Sequence, residues 1–151
     1  MAIPDRVPIS YEPDFYTRTI GRYDGGQFFA WVTATLGDGG DDDWASRKRW
    51  YAVLHRFDAG GVHTGSTIEY TGTSVDEDAA VGRARARVDE LVGALPGREF
   101  CDIEIGLFQV EVDGQVFGLV DWSQEYDGED HAEFLPGELG FDPPWDGTYD
   151  T

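Results

Sequence analysis

Apolar and polar positions alternate along the first half of the chain, a pattern typical of β-strands with one buried face. In residues 27–36, alternate side chains beginning at Phe28 are predicted to face the core, and those beginning at Phe29 the outer side. Turn sequences at residues 24–26 and 58–61 favour two β-hairpins. The strands predicted in this half cover residues 17–23, 27–36, 48–57 and 62–71.

A different period follows at residues 76–95, where apolar residues recur at helical spacing. Acidic residues 76–78 lie in the first turn, where the helix dipole favours them, and Pro96-Gly97 ends the segment. The segment therefore predicts one amphipathic helix. Its apolar stripe comprises Val81, Ala84, Val88, Leu91, Val92 and Leu95.

Two further strands are predicted after the helix, at residues 100–112 and 115–122, joined by an Asp-Gly turn. The apolar phase of the first changes near Gly106, which a β-bulge there would reconcile. The order β-β-β-β-α-β-β predicts an α+β fold, in which an antiparallel sheet of about six strands carries the helix on one face.

The 151 residues predict a single domain. Residues 1–16 are rich in proline and are predicted to be irregular. Residues 123–151 combine acidic with aromatic and aliphatic residues, and we expect this segment to wrap across the domain.

The net charge is −19, and residues 113–151 contribute 11 acidic side chains with no Lys or Arg. Such a charge repels nucleic acid and anionic membranes and would favour a basic protein partner or divalent cations. The alternative, which we favour, is that the surplus carboxylates only keep the protein dispersed in water. A single cysteine excludes an intrachain disulfide, and neither a signal peptide nor a membrane span is predicted. We therefore expect a cytoplasmic protein.

Candidate catalytic residues are His55 and His63, which the second predicted hairpin places close together, with the carboxylate of Glu69. Two imidazoles beside a carboxylate could bind a metal, move protons or line a ligand pocket. The alternative is two ordinary strand histidines, which we favour because no third residue follows a motif spacing.

Candidate metal ligands lie in two acidic clusters, at Asp41 and Asp43 and at Asp127, Asp130 and His131. Their spacing does not match that of an EF-hand calcium loop. We favour solvated loops in both places and expect no cofactor.

Aromatic residues on the predicted outer face suggest a binding surface for a protein partner. Phe29 and Trp31 share that face, one of Trp50 and Tyr51 must point away from the core, and Trp145 lies in the C-terminal segment. The alternative is that the N-terminal or C-terminal segment covers these side chains.

Four segments of the chain, residues 7–10 (VPIS), 19–23 (TIGRY), 50–58 (WYAVLHRFD) and 144–147 (PWDG), carry a family resemblance. The chain resembles a family of small acidic bacterial proteins that bear the label formate hydrogenlyase regulatory protein. The resemblance implies a cytoplasmic, non-enzymatic regulator and supplies no catalytic residues.

The leading hypothesis is therefore an interaction or regulatory protein that binds a protein partner through an acidic and aromatic surface. A small enzyme or ligand-binding domain using His55 and His63 is the first alternative. An immunity-type or DNA-mimic inhibitor is the second, although a mimic needs a regular array of carboxylates and these lie in turns and a tail.

Overall fold

The computed structural model describes residues 3–37 and 43–150, and within these it contains eleven strands in three antiparallel sheets and one long helix. The predicted α+β class is confirmed. The strands are β1 (Val7–Ile9), β2 (Ile20–Tyr23), β3 (Gly26–Leu36), β4 (Lys48–Phe57), β5 (His63–Thr73), β6 (Glu99–Phe100), β7 (Ile103–Ile105), β8 (Phe108–Val112), β9 (Gln115–Asp121), β10 (Ala132–Leu135) and β11 (Leu139–Phe141). The helices are α1 (Trp44–Arg47) and α2 (Glu77–Gly93), with 3-10 turns at Ser74–Asp76 and Ser123–Tyr126.

The central sheet has five strands in the order β5-β4-β3-β2-β6. Both predicted hairpins are present, with β2 paired to β3 and β4 paired to β5. In the second turn Asp58 Oδ1 accepts hydrogen bonds from the backbone N–H groups of Gly60 and Val62, at 2.9 and 3.0 Å. The short polar side chain thus closes the turn that sets the register of β4 against β5.

Helix α2 covers part of one face of this sheet. Its buried side chains are Ala80, Ala84, Val88 and Val92. Ala84, Val88 and Val92 share an apolar cluster with Phe28 and Ala30 of β3 and with Ala52 and Leu54 of β4. Phe28 and Ala30 belong to the alternate residues that the strand pattern assigned to the core.

The opposite face of the central sheet is covered by a second sheet of four strands, in the order β11-β10-β9-β8. Phe29 stacks on Phe134 of β10, with ring centroids 4.0 Å apart and an interplanar angle of 15°. Phe29 is fully buried and Trp31 is 5% exposed. The prediction that these two side chains lie on an outer surface is therefore wrong, because both faces of β3 are covered.

Residues 99–112 form three short strands instead of one long strand with a bulge. Strand β6 belongs to the central sheet, β7 pairs with β1, and β8 joins the four-stranded sheet. The phase change near Gly106 therefore marks the place where the chain passes from one sheet to another. The same pairing gives a strand, β1, to the N-terminal segment that was predicted to be irregular.

The acidic C-terminal segment contributes β10 and β11 to the second sheet. Its apolar side chains Phe134, Leu139 and Phe141 are buried in the core between the sheets. Most of its carboxylates, including Glu125 and Glu129, are exposed. In the described part of the chain, no helix combines the length and the apolar character that crossing a membrane requires.

Candidate functional site

An open cleft of about 820 Å³ lies on the helix side of the central sheet, between α2 and the segment that leads into β2. We call it the α2 cleft. Its apolar and aromatic lining is Tyr16, Trp31, Val32, Trp50, Val81 and Val88. Its polar lining is Arg18, Thr19, Glu77, Asp78, Gly82, Arg85 and Asp89.

The α2 cleft exists because β2 is short. Strand β2 pairs with β3 only as far as Phe29, and Ala30 then donates its N–H to the carbonyl of Thr19 at 3.0 Å. Residues 16–18, which come before Thr19 in the sequence, do not continue this pairing along β3. The helix lies over the sheet at Ala30 and Ala52, so the region around Val32 is left open.

Two tryptophans from neighbouring strands line the α2 cleft. Trp50 is held in place by a hydrogen bond from its Nε1 to Ser74 Oγ at 2.9 Å, and Lys48 Nζ lies 4.9 Å from its ring centroid. Trp31 Nε1 is buried and has no hydrogen-bond partner among the described residues. The Trp31 ring packs on Phe29 and Phe134 between the two sheets, so this N–H faces the closed core and not the α2 cleft.

The rim of the α2 cleft is more acidic than basic. Glu77, Asp78 and Asp89 of the helix are exposed, against two guanidinium groups, those of Arg18 and Arg85. Within a protein of net charge −19 this arrangement favours a cationic or neutral ligand over an anionic one.

The five side chains predicted to bind a partner are not gathered on one surface. Trp31 and Trp50 line the α2 cleft. Phe29 and Tyr51 are buried between the two sheets, which contradicts a role in direct contact with a partner. Trp145 is half-buried and packs against the core between the sheets.

The predicted pair of histidines is formed, with a serine that the sequence pattern did not single out. His55 Nδ1 and His63 Nε2 lie 2.6 and 2.7 Å from the same oxygen, Ser66 Oγ, and the imidazole centroids are 6.2 Å apart. Since a hydroxyl donates one hydrogen, one of the imidazoles must donate to the serine. The predicted carboxylate, Glu69, is elsewhere: it accepts a hydrogen bond from Arg87 Nε at 2.7 Å, on the helix side of the sheet.

The two imidazoles of this pair are neutral in their surroundings. Burial lowers the pKa of His55 to about 3; the positive charge of Arg56, and that of His63 whenever it is protonated, act in the same direction. Burial also lowers the pKa of His63. His55 is fully buried, and its Nε2 has no partner within the described residues. A base with so low a pKa accepts a proton poorly at neutral pH, so the geometry gives the catalytic interpretation little support.

A second histidine site lies in the C-terminal segment. His131 is buried, its Nδ1 contacts Asp142 Oδ1, and its Nε2 lies 3.1 Å from Glu133 Oε1. Tyr126 stacks on the imidazole at 3.7 Å between centroids. Burial alone lowers the pKa of His131, but the hydrogen bonds to Asp142 and Glu133 outweigh it and raise that pKa above its ordinary value.

The predicted metal ligands do not assemble into a site. Asp41 lies outside the described residues, and Asp43 and Asp127 are exposed. Within residues 3–37 and 43–150, no three His, Cys, Asp or Glu side chains are grouped so that they could hold a metal ion. His131 instead uses both of its nitrogens on carboxylates of the fold.

A second cleft, of about 620 Å³, lies near the start of β3 and is lined by Arg22, Gln27, Asp102 and Glu104, among others. Gln27 already uses its amide on the backbone of Glu104, donating to the carbonyl at 2.9 Å and accepting from the N–H at 2.8 Å. The amide of Gln27 is therefore occupied by the fold and is not free for a ligand.

Tyr16, Val32 and Val81 are site residues that the sequence pattern did not identify. Val81 was assigned to the apolar stripe of the helix, and it does lie there, but its position at the edge of the stripe exposes it to the α2 cleft. Comparison of the chain with protein-family models, with curated proteins and with solved structures gives no match.

Proposed function

We propose that the protein is an interaction protein that binds a basic protein partner through the α2 cleft. The observation that carries this proposal is the combination, in one open cleft, of the aromatic residues Tyr16 and Trp50 with a rim of helix carboxylates. Tryptophans supply much of the binding energy at protein interfaces, and charge complementarity speeds the encounter.

The C-terminal segment supports the same proposal from a different part of the surface. Its chain is fixed by β10 and β11, and exposed carboxylates such as Glu125, Glu129 and Glu138 lie in the turns next to these strands. A fixed field of this sign would draw a basic partner towards the protein at low ionic strength. A regulatory role, which the family resemblance implies, is compatible with such binding.

The enzyme alternative is weaker because its parts are separated. His55 and His63 meet at Ser66, but Glu69 lies on the other face of the sheet, bound to Arg87. An imidazole that activates a serine is normally oriented by a third group, and the described partners of His55 include no carboxylate.

The proposal is tested with two charge-matched variants of α2. Val81→Arg places a long cation in the α2 cleft, whereas Ala94→Arg adds the same charge at the exposed C-terminal end of the helix, outside the cleft. Each variant and the wild type is immobilised and incubated with a lysate of the source cells, and the captured proteins are quantified.

We expect at least one basic protein to be captured by the wild type and by Ala94→Arg, and to be lost with Val81→Arg. Equal capture by all three proteins would contradict binding in the α2 cleft. Capture that weakens as the salt concentration rises, but is the same for Val81→Arg and the wild type, would assign the binding to the acidic C-terminal surface instead.

A further inference from the structure

The second half of β3 presents an unpaired strand edge to the α2 cleft. In an antiparallel sheet, the N–H and C=O groups of successive residues point to opposite neighbours. Ala30 donates its N–H to Thr19, on the β2 side, so Val32 and Ala34 direct their backbone groups to that side as well. In the described ranges, no strand pairs with β3 there beyond Phe29.

Unpaired strand edges are usually blunted, because they pair readily with other chains. Here the edge begins in the lining of the α2 cleft at Val32 and continues beyond that lining to Ala34, and both residues are half-buried. Residues 31–36 offer about 20 Å of strand, at 3.3 Å per residue, which is enough for a segment of about five or six residues.

Side chains of an added strand would meet complementary surfaces in the α2 cleft. On the helix side they would contact Val81, Val88 and the Trp50 ring, and towards solvent they would meet Glu77, Asp78 and Asp89. Backbone pairing supplies affinity in this mode of recognition, and pockets for alternate side chains supply specificity.

The net charge of the protein indicates which kind of chain would bind in the α2 cleft. A second copy of this chain paired along β3 would bring together two proteins that each carry −19, which repel one another. A segment that carries Lys or Arg is attracted by the same charge and by the helix carboxylates.

We infer that the α2 cleft receives an extended, Lys- or Arg-bearing segment of the partner, which adds to the central sheet as a strand along Val32 and Ala34 of β3. This inference rests on the proposed function and specifies its mode of binding.

The experiment starts from random linear peptides displayed on phage and selected against the intact protein. We expect the selected peptides to carry Lys or Arg beside alternating apolar residues, and to bind Val81→Arg at least about tenfold more weakly than Ala94→Arg, a difference of about 1.4 kcal/mol. One selected peptide is then synthesised with a single N-methyl group at each position in turn.

Because an added strand bonds to β3 through every second residue, N-methylation should weaken binding about tenfold at alternate positions and much less at those between. Equal tolerance of N-methylation throughout would overturn strand addition. So would acidic selected peptides, the absence of Val81-sensitive peptides, or a dimer of the wild type in sedimentation at the working concentration.

The two proposals fail separately. Val81-sensitive capture of a protein, together with peptides that tolerate N-methylation everywhere, would retain the binding function and remove the strand. Equal capture of lysate proteins by the wild type and by Val81→Arg would contradict the proposed binding in the α2 cleft, whatever the peptides show.

Discussion

The two faces of the central sheet are covered in different ways, and the difference explains where a site can form. Towards the second sheet the contacts are between large rings, such as Phe29, Phe134 and Phe117, and the face is closed. Towards α2 they involve small residues, such as Ala30 and Ala52. A helix about 10 Å wide cannot cover five strands spaced about 4.8 Å apart, so this face keeps an open part.

The closed face should be the more sensitive to loss of a side chain. Phe134→Ala removes a ring that is fully buried and stacked on Phe29, and we expect the free energy of unfolding to fall by about 3–5 kcal/mol. Val92→Ala, on the helix face, deletes two buried methyl groups and should cost about 2 kcal/mol. Chemical denaturation monitored by tryptophan fluorescence measures both values, and equal costs would break the contrast between the faces.

The closed face also holds a neutral imidazole, which should make the protein sensitive to acid. The pKa of His55 is about 3 in the folded protein and near 6.5 when unfolded, so below pH 6.5 the unfolded chain binds more protons. The contribution of this residue is complete above pH 6.5 and falls by about 1.4 kcal/mol for each pH unit down to about pH 3.

The variant His55→Gln removes this proton linkage. It should be less stable than the wild type at neutral pH, since the contact with Ser66 is altered, but its stability should depend less steeply on pH between 6 and 4. Parallel pH profiles of the two proteins would show that His55 does not carry the acid sensitivity.

A second buried histidine, His131, lies directly before β10 of the second sheet, and its pKa is shifted in the opposite direction. The pKa of His131 is raised by Asp142 and Glu133, so the folded protein holds the proton more tightly than the unfolded chain. Its contribution is complete below the unfolded pKa, near 6.5, and is lost as the pH rises through the folded pKa.

Comparing His131→Gln with the wild type tests this prediction. The stability lost by the substitution should be largest at about pH 6 and should shrink by about pH 9. The imidazole proton signals in NMR should also titrate above the ordinary range. A loss that grows with pH would contradict the assignment of a protonated His131.

The smallest effect on stability is expected at the open face. Val81 is only partly buried, so Val81→Arg should change the free energy of unfolding by about 0.5 kcal/mol or less, while removing partner binding. Comparing the free energies of unfolding of this variant and of Ala94→Arg shows whether lost binding is due to a blocked cleft or to a misfolded protein.

Local patterns were sufficient to predict the helix and the hairpins, because turn residues and apolar spacing act within a few positions. They could not tell that both faces of β3 are covered, since alternation distinguishes two faces but not what packs on each. That is why Phe29 was assigned to the outside. The phase change near Gly106 was visible, but its cause, a transfer between sheets, depends on pairing with distant β1 and β9.

The α2 cleft was beyond sequence reasoning for the same reason. It brings together Tyr16, Trp31 and Val81, which are far apart in the chain, and it depends on where β2 begins. Trp31 and Trp50 were singled out from the sequence as candidate binding residues, but only the tertiary structure places both in the lining of one cleft.

Amide hydrogen exchange at β3 tests the central claim most directly. In the free protein, the N–H groups of Val32 and Ala34 should exchange faster than those of Trp31 and Thr33, which point to β4. Addition of a selected basic peptide should slow exchange at Val32 and Ala34 and leave their neighbours unchanged. Exchange at Val32 and Ala34 that is unaffected by a saturating peptide would contradict the account.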